Sequence, residues 1–356
     1  MKTTSRHSSD GIALIMVMCA IVVLSALAAG FALSMKVETR LAQYANSEEQ
    51  LLWLGTSGVQ RACWILSQHP PGESFDSLNQ KWAGGTGSLG ESNSVLSSVS
   101  LDNYPVGDGT VSIKIIDLER YANINTATAA TLQQALTYMG VDANEISVVS
   151  DSILDWIQQG VGPRVAGAKS DYYQGLPVPY YAKEAPIDDL SELLLVKGIW
   201  DHPEIYWGGA ATNHVPAVFQ HKLGLGTAPG QIPDYPFGLT NLFTPFSNGK
   251  INVNTADKNV LTMIFGGDDA AAVTADAIIK QRAGPDGVDG TEDDMPFSDP
   301  GQLTGFGIKD TSACDVRSST FEVHVTAQLG DFKREYVAIL ARTSGTDFQV
   351  VSFYWK

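Results

Sequence analysis

Residues Ile12 to Met35 form a run of 24 positions without a charged side chain, and no other feature limits the possible folds of this chain so strongly. At about 1.5 Å per helical residue the run reaches about 36 Å, more than the hydrocarbon core of a bilayer, about 30 Å. The segment therefore reads as a membrane span. The leader before it carries Lys2 and Arg6, which the positive-inside rule keeps cytoplasmic, so the rest of the chain is delivered across the membrane. An ordinary secretory signal has a shorter apolar region, ~7 to 15 residues. Gly11 stands where the polar leader meets the apolar run, and a cut after it would free Ile12 as a new N-terminus with the span intact.

Apolar residues continue past the span at helical spacing through Val37, Leu41, Tyr44, Ala45, Leu51, Leu52, Val59, Ala62, Cys63 and Leu66. The spacing predicts one long stem, half in lipid and half amphipathic, stopped by His69, Pro70, Pro71 and Gly72. The Gly/Ser-rich stretch from Ala83 to Ser100 reads as a flexible connection with little core. Alternation of apolar and polar residues predicts strands over Thr110–Asp117, Thr320–Leu329, Arg334–Ala341 and Phe348–Tyr354, which make one antiparallel sheet lying on the stem. Between the first of these strands and the other three the signals are helical. The phrase Asn-x-Asn-Thr-Ala occurs twice, at Asn123 and Asn252, each time ahead of a helix, which suggests a duplicated unit whose Asn or Thr oxygens cap the helix.

Leader, Gly11, span and stem together resemble the type IV pilins and the pseudopilins of type II secretion. Further motifs narrow the resemblance to the minor pseudopilin K (GspK) family. They are Asp117 with Ala122-Asn123-Ile124-Asn125, Leu154-Asp155-Trp156, Asp171-Tyr172-Tyr173, Leu190 to Ile199, Ile251 to Ala256, and Met295-Pro296-Phe297 leading to Leu303. The resemblance implies an α+β fold: a pilin-like helix on an antiparallel sheet, with a large all-α domain inserted between strands. It divides the chain into a leader (1–11), a transmembrane half-stem (12–35), outer stem, linker and first strands (36–121), an inserted domain of duplicated helix-hairpin-helix-like units (122–315) and C-terminal strands (316–356). It implies cleavage between Gly11 and Ile12 by prepilin peptidase, methylation, an inner-membrane anchor with a periplasmic domain, and no enzymatic activity. Most pilins carry Glu at the fifth mature position; Met16 stands there, as in the subunit thought to sit at the pseudopilus tip. The implied partners are the minor pseudopilins I and J and the major pseudopilin filament.

One segment carries chemistry of its own. Asp286, Asp289, Glu292, Asp293 and Asp294 crowd a loop with Gly287 and Gly290, and clustered hard oxygens on a flexible loop suit a structural Ca²⁺ ion. A solvated acidic turn is the competing reading. Asp151, Asp155 and Asp171 are weaker metal candidates, because Gln158, Gln159, Lys169 and Ser170 replace acids that the family tends to carry nearby. Cys63 and Cys314 are the two cysteines outside the span, and either a disulfide or two free thiols fits. The six histidines form no HExxH motif, and Gly55-Thr56-Ser57-Gly58, lying on the stem, serves helix packing better than a hydrolase elbow. A net charge of −16 argues against nucleic acid. The alternative of a membrane-anchored helix-hairpin-helix DNA receptor of a competence-type system rests on Asn-Ile-Asn-Thr-Ala and on Lys197-Gly198-Ile199, which lacks the second turn glycine. A minor type IV pilin is the nearer alternative.

Overall fold

The computed structural model describes residues 10–68, 73–88, 91, 95–160, 162–208 and 235–356. Helix α1 runs unbroken for 58 residues, Asp10–Ser67. Residues 13–45 expose their side chains to the surroundings, and the helix is long and apolar enough to cross a membrane. Farther out one face turns inward: Leu51, Leu54, Val59, Ala62, Ile65 and Leu66 are buried at the three- and four-residue spacing of a helix. Gly55 and Gly58 lie on that face because the sheet comes too close for a side chain. A Cβ on Gly55 would meet the Tyr336 ring, and one on Gly58 would meet Val325 and Val111. The packing role read for these glycines is borne out. The proline stop at 69–72 lies outside the described residues, as do Met1 to Ser9.

The sheet against α1 has five antiparallel strands in the order β1-β2-β7-β8-β9: β1 Tyr104–Val106, β2 Gly109–Asp117, β7 Thr320–Leu329, β8 Phe332–Ser344 and β9 Asp347–Trp355. β2 pairs with β7 across a long excursion of the chain, with Ile113 opposite Val325 and Ile115 opposite Val323. Alternation does the sorting. Val111, Ile113, Ile115, Phe321, Val323 and Val325 face α1 and make a core with its outer half.

The stretch read as a flexible connection is folded where it is described. Trp82 and Leu96 are buried in the core of the sheet, and the Glu91 carboxylate is buried too, accepting from the amides of Lys81 (3.1 Å) and Ser88 (3.1 Å). Gly87 N donates to Asn79 O and Thr86 N to Gly290 O. Glycine composition signalled tight turns here, and a buried acid with its own donors holds them.

A second core, separate from the first, spans Ala122 to Val316. It consists of two similar halves. The first opens on β3 (Ala122–Asn123), continues through α2 (Ala129–Met139) and α3 (Ala143–Ile157), and closes with β4 (Phe243–Thr244) parallel to β3. The second opens on β5 (Ile251–Asn252), continues through helices Lys258–Ile264 and Asp269–Arg282, and closes with β6 (Cys314–Asp315) parallel to β5. The repeated asparagines do not cap these helices, contrary to expectation: Thr128 and Asp257 do, accepting from the amides of Thr131 and Val260. Asn123 and Asn252 sit in strand pairs, so their side chains instead turn the chain, each accepting from the amide two residues on, 2.8 Å from Asn125 N and 3.0 Å from Asn254 N. The second asparagine of each copy is a clamp. Asn125 bonds both N and O of Ile187 (2.7 and 3.0 Å), and Asn254 bonds both N and O of Phe297 (2.8 and 2.9 Å).

Candidate functional site

Gly11 and Ile12 lie in the first turns of α1, and Met16 is exposed on the same helix within the apolar run. On the outer stem Trp53 and Trp64 remain exposed opposite the buried face. Eleven residues apart, they return to nearly the same side of the helix. The helix thus exposes two tryptophans on its outer half and an apolar run along its first half.

The acidic loop is organised from inside the protein. Arg282, buried at the end of its helix, forms a two-point ion pair with Asp289 (Nε 3.0 Å, Nη2 2.8 Å) and donates through Nη1 to the carbonyls of Val253 (2.8 Å) and Ala256 (2.6 Å). Asp294 accepts from Gly290 N, Asp293 from Asp286 N and Thr291 Oγ1, and Asp286 from Val288 N. The Thr291 hydroxyl holds the Asp293 carboxyl below the usual carboxylate range, whereas burial moves Asp294 up. Like charges crowded this closely repel one another. Arg282 and the loop's own amides answer part of that repulsion. Asp286, Asp289, Glu292, Asp293 and Asp294 do not converge as a ligand shell, and among the described residues no three His, Cys, Asp or Glu side chains do.

The weaker metal candidates are also dispersed. Asp155 is buried against Arg164, which bonds it through Nη1 (2.7 Å) and its backbone amide (2.8 Å). Asp151 accepts from Ala166 N (3.1 Å), while Asp171 is exposed in the first turn of the short helix Ser170–Gln174. Lys169, nearly buried, donates to the carbonyls of Asp155 (3.0 Å) and Gln158 and lies 3.5 Å from Glu184. Two protein cations therefore sit where the sequence reading placed a metal ion. Arg164, Lys169 and Arg282 were the residues missed, and the available signal was a basic residue inside or just before each acidic loop.

Cys63 and Cys314 are free thiols in different cores, one on the stem and one in β6. Burial raises both, Cys314 to about 12, so neither is a thiolate at neutral pH. The possible disulfide is thus not formed in this structure. Among the described histidines, His202 pairs with Glu145 and Glu204, and His324 with Glu322 and Glu335. His7, His69, His214 and His221 lie outside the described residues. Lys197, the basic residue of the hairpin-like turn, points inward to the carbonyls of Ala166 (3.2 Å) and Gly167 (3.4 Å), so it is not presented to a phosphate.

A membrane-length helix continuing onto an antiparallel sheet, with a helical body between the sheet's second strand and its last three, defines a pilin-like fold with a large insertion. Residues 112–205 match the family model described as Type II secretion system (T2SS), protein K. The Type II secretion system protein K of Pectobacterium carotovorum subsp. carotovorum is 26% identical over 111 residues, 27% of this chain and 34% of that protein, so the match spans about a third of its length. In fold, the chain is similar to one in the crystal structure of the GspK-GspI-GspJ complex from the enterotoxigenic Escherichia coli Type 2 Secretion System, with a TM-score of 0.61, 17% identity, and coverage of 88% of this chain and 99% of that one. The resemblance to protein K drawn from the sequence motifs is borne out by these matches.

Proposed function

We propose that this chain is a minor pseudopilin of a type II secretion system and that it caps or initiates the pseudopilus from its tip. The observation that carries the reading is fold likeness over 88% of the chain. Prepilin peptidase cuts after Gly11, Ile12 becomes the mature terminus, and the span holds the subunit in the inner membrane with its two cores in the periplasm. Met16 supplies no carboxylate to neutralise the terminus of an earlier subunit, which suits a position with no subunit beyond it. The inserted domain makes the far end too broad to be stacked upon. Minor pseudopilins I and J bind along the stem, where Trp53 and Trp64 are exposed. The role is packing, not catalysis. A calcium ion at the acidic loop belongs to this reading only if Asp289 exchanges Arg282 for the ion.

Co-purification of the full chain from detergent with the I and J pseudopilins tests the assignment. A stable three-protein complex, weakened by Trp53→Ala with Trp64→Ala, is the expected result, and no complex in any detergent refutes it. N-terminal sequencing after coexpression with prepilin peptidase checks the cut, expected to begin at Ile12. The DNA-receptor alternative requires salt-dependent binding of duplex by the same preparation, which the inward Lys197 and the net charge of −16 oppose.

A further inference from the structure

Among the described residues, the crossings of the chain between the two cores at 76, 117–119 and 318–320 meet in one buried polar cluster. Asp117 ends β2 and is 2% exposed; Asp76 of the linker and Glu119 are 0% exposed. Asp117 Oδ1 accepts from Glu119 N (2.8 Å), and Oδ2 is met by Asn252 Nδ2 (3.2 Å), Ser318 Oγ (2.6 Å) and Thr255 Oγ1. Asp76 takes Ser318 N (2.8 Å) and Arg342 Nη2 (3.0 Å) on its carboxylate and Asn252 Nδ2 (3.0 Å) on its carbonyl. Glu119 accepts from Asn248 N (3.2 Å), Ser319 Oγ (2.7 Å) and Thr320 N (2.9 Å). The linker, β2, β5, the segment between β6 and β7, and β8 all contribute to it.

The charges in this cluster do not balance. Arg342 is the guanidinium within it, and it pairs with Asp76. The other groups facing Asp117 are Glu119 from its own turn and, farther off, the Tyr121 phenol; Arg317 adjoins Arg342 rather than Asp117. With all three carboxylates ionised, Asp117 and Glu119 would be like charges held side by side out of water, which proteins avoid by keeping one protonated. The Ser318 and Thr255 hydroxyls at Oδ2 suit that arrangement, because a hydroxyl can accept a hydrogen bond from a protonated carboxyl as well as donate one to a carboxylate.

We propose that Asp117 is a proton-binding site, and that the proton it holds against Ser318 and Thr255 locks the inserted domain to the sheet, so that losing it loosens the junction. This does not depend on the assembly role above. Burial first, and then the charge of Glu119, push the Asp117 carboxyl to about 8. In the unfolded chain an aspartate titrates near ~3.9. Between those two values the folded state holds a proton that the unfolded state lacks, so stability falls as pH rises toward about 8 and levels off above it.

The test is urea unfolding of the full chain in detergent micelles from about pH 5 to 9, for the wild type, Asp117→Asn and Glu119→Gln. The difference between wild type and Asp117→Asn is expected to bend near pH 8. A difference that does not vary with pH overturns the proposal. If Asp117→Asn does not fold, Glu119→Gln decides: without the neighbouring charge the bend moves to lower pH, and an unmoved bend overturns the proposal. Infrared spectra at neutral pH supply a direct reading. A protonated-carboxyl band that disappears as pH is raised through the bend supports the site, and absence of the band at neutral pH refutes it.

Discussion

In the first copy of the Asn-x-Asn-Thr-Ala phrase, Asn123 directs its amide to one carbonyl, that of Ser247 (2.6 Å), and Asn125 is half-buried. In the second, Asn252 is fully buried and its amide reaches the Asp76 carbonyl, Asp117 and Ser318, which belong to the linker, the sheet and the segment returning to it. Turn and clamp are the same in both. What differs is the neighbour: the first copy closes on itself, while the second is set into the junction with the stem-and-sheet core. A duplicated unit can therefore keep its internal hydrogen bonds and still divide its work, because the outward-facing donors respond to whatever packs beside them.

Substitutions can break this comparison, and the largest effect is expected at Asn252. Asn252→Ala leaves buried acceptors in three segments without their donor and is expected to cost about 4 kcal/mol in urea unfolding, against about 1 kcal/mol for Asn123→Ala. Equal losses would mean that the junction does not draw on the second copy. Next come the cations behind the two acidic loops. Arg282→Met removes a buried partner from Asp289 and two main-chain carbonyls, for about 3 kcal/mol. Arg164→Ala, at a side chain 35% exposed, should cost about 1 kcal/mol or less. The clamps sharpen the similarity instead: Asn254→Ala and Asn125→Ala should each cost about 1 to 2 kcal/mol, the second copy slightly more because it is drier. The smallest effect concerns calcium. With Asp289 held by Arg282, chelation should move the melting temperature of the full chain by less than about 1 °C, whereas a fall of several degrees would restore a structural ion at Asp286 to Asp294.

The strands with an alternating pattern were legible almost to the residue: Thr320–Leu329 was predicted with the ends it has, and β2, β8 and β9 gained only one to three residues at an end. β1 and the two-residue strands β3 to β6 were not, since two or three residues have no period to detect. The duplication was visible in Asn-x-Asn-Thr-Ala. Its second half was overlooked, although Ile187-x-Asp189-x-x-Glu192-Leu193 and Phe297-x-Asp299-x-x-Gln302-Leu303 repeat the clamp target, the capping box and a fully buried leucine in the same order. Acidic residues in the two loops were found, but not what holds them, because Arg282, Arg164 and Lys169 act through side-chain direction, which spacing does not encode.

By itself the sequence determined the long apolar helix, the buried face of its outer half and the inward face of each long strand, because a helix or strand writes its burial into its own period. Tertiary structure alone decided which charges meet. Asp76, Asp117, Asn252, Ser318 and Arg342 come together from five separate stretches, and the chain order contains no trace of it. Hydrophobic burial is a property of one element against water and repeats along it, whereas buried polar groups need particular partners that only the closed fold supplies.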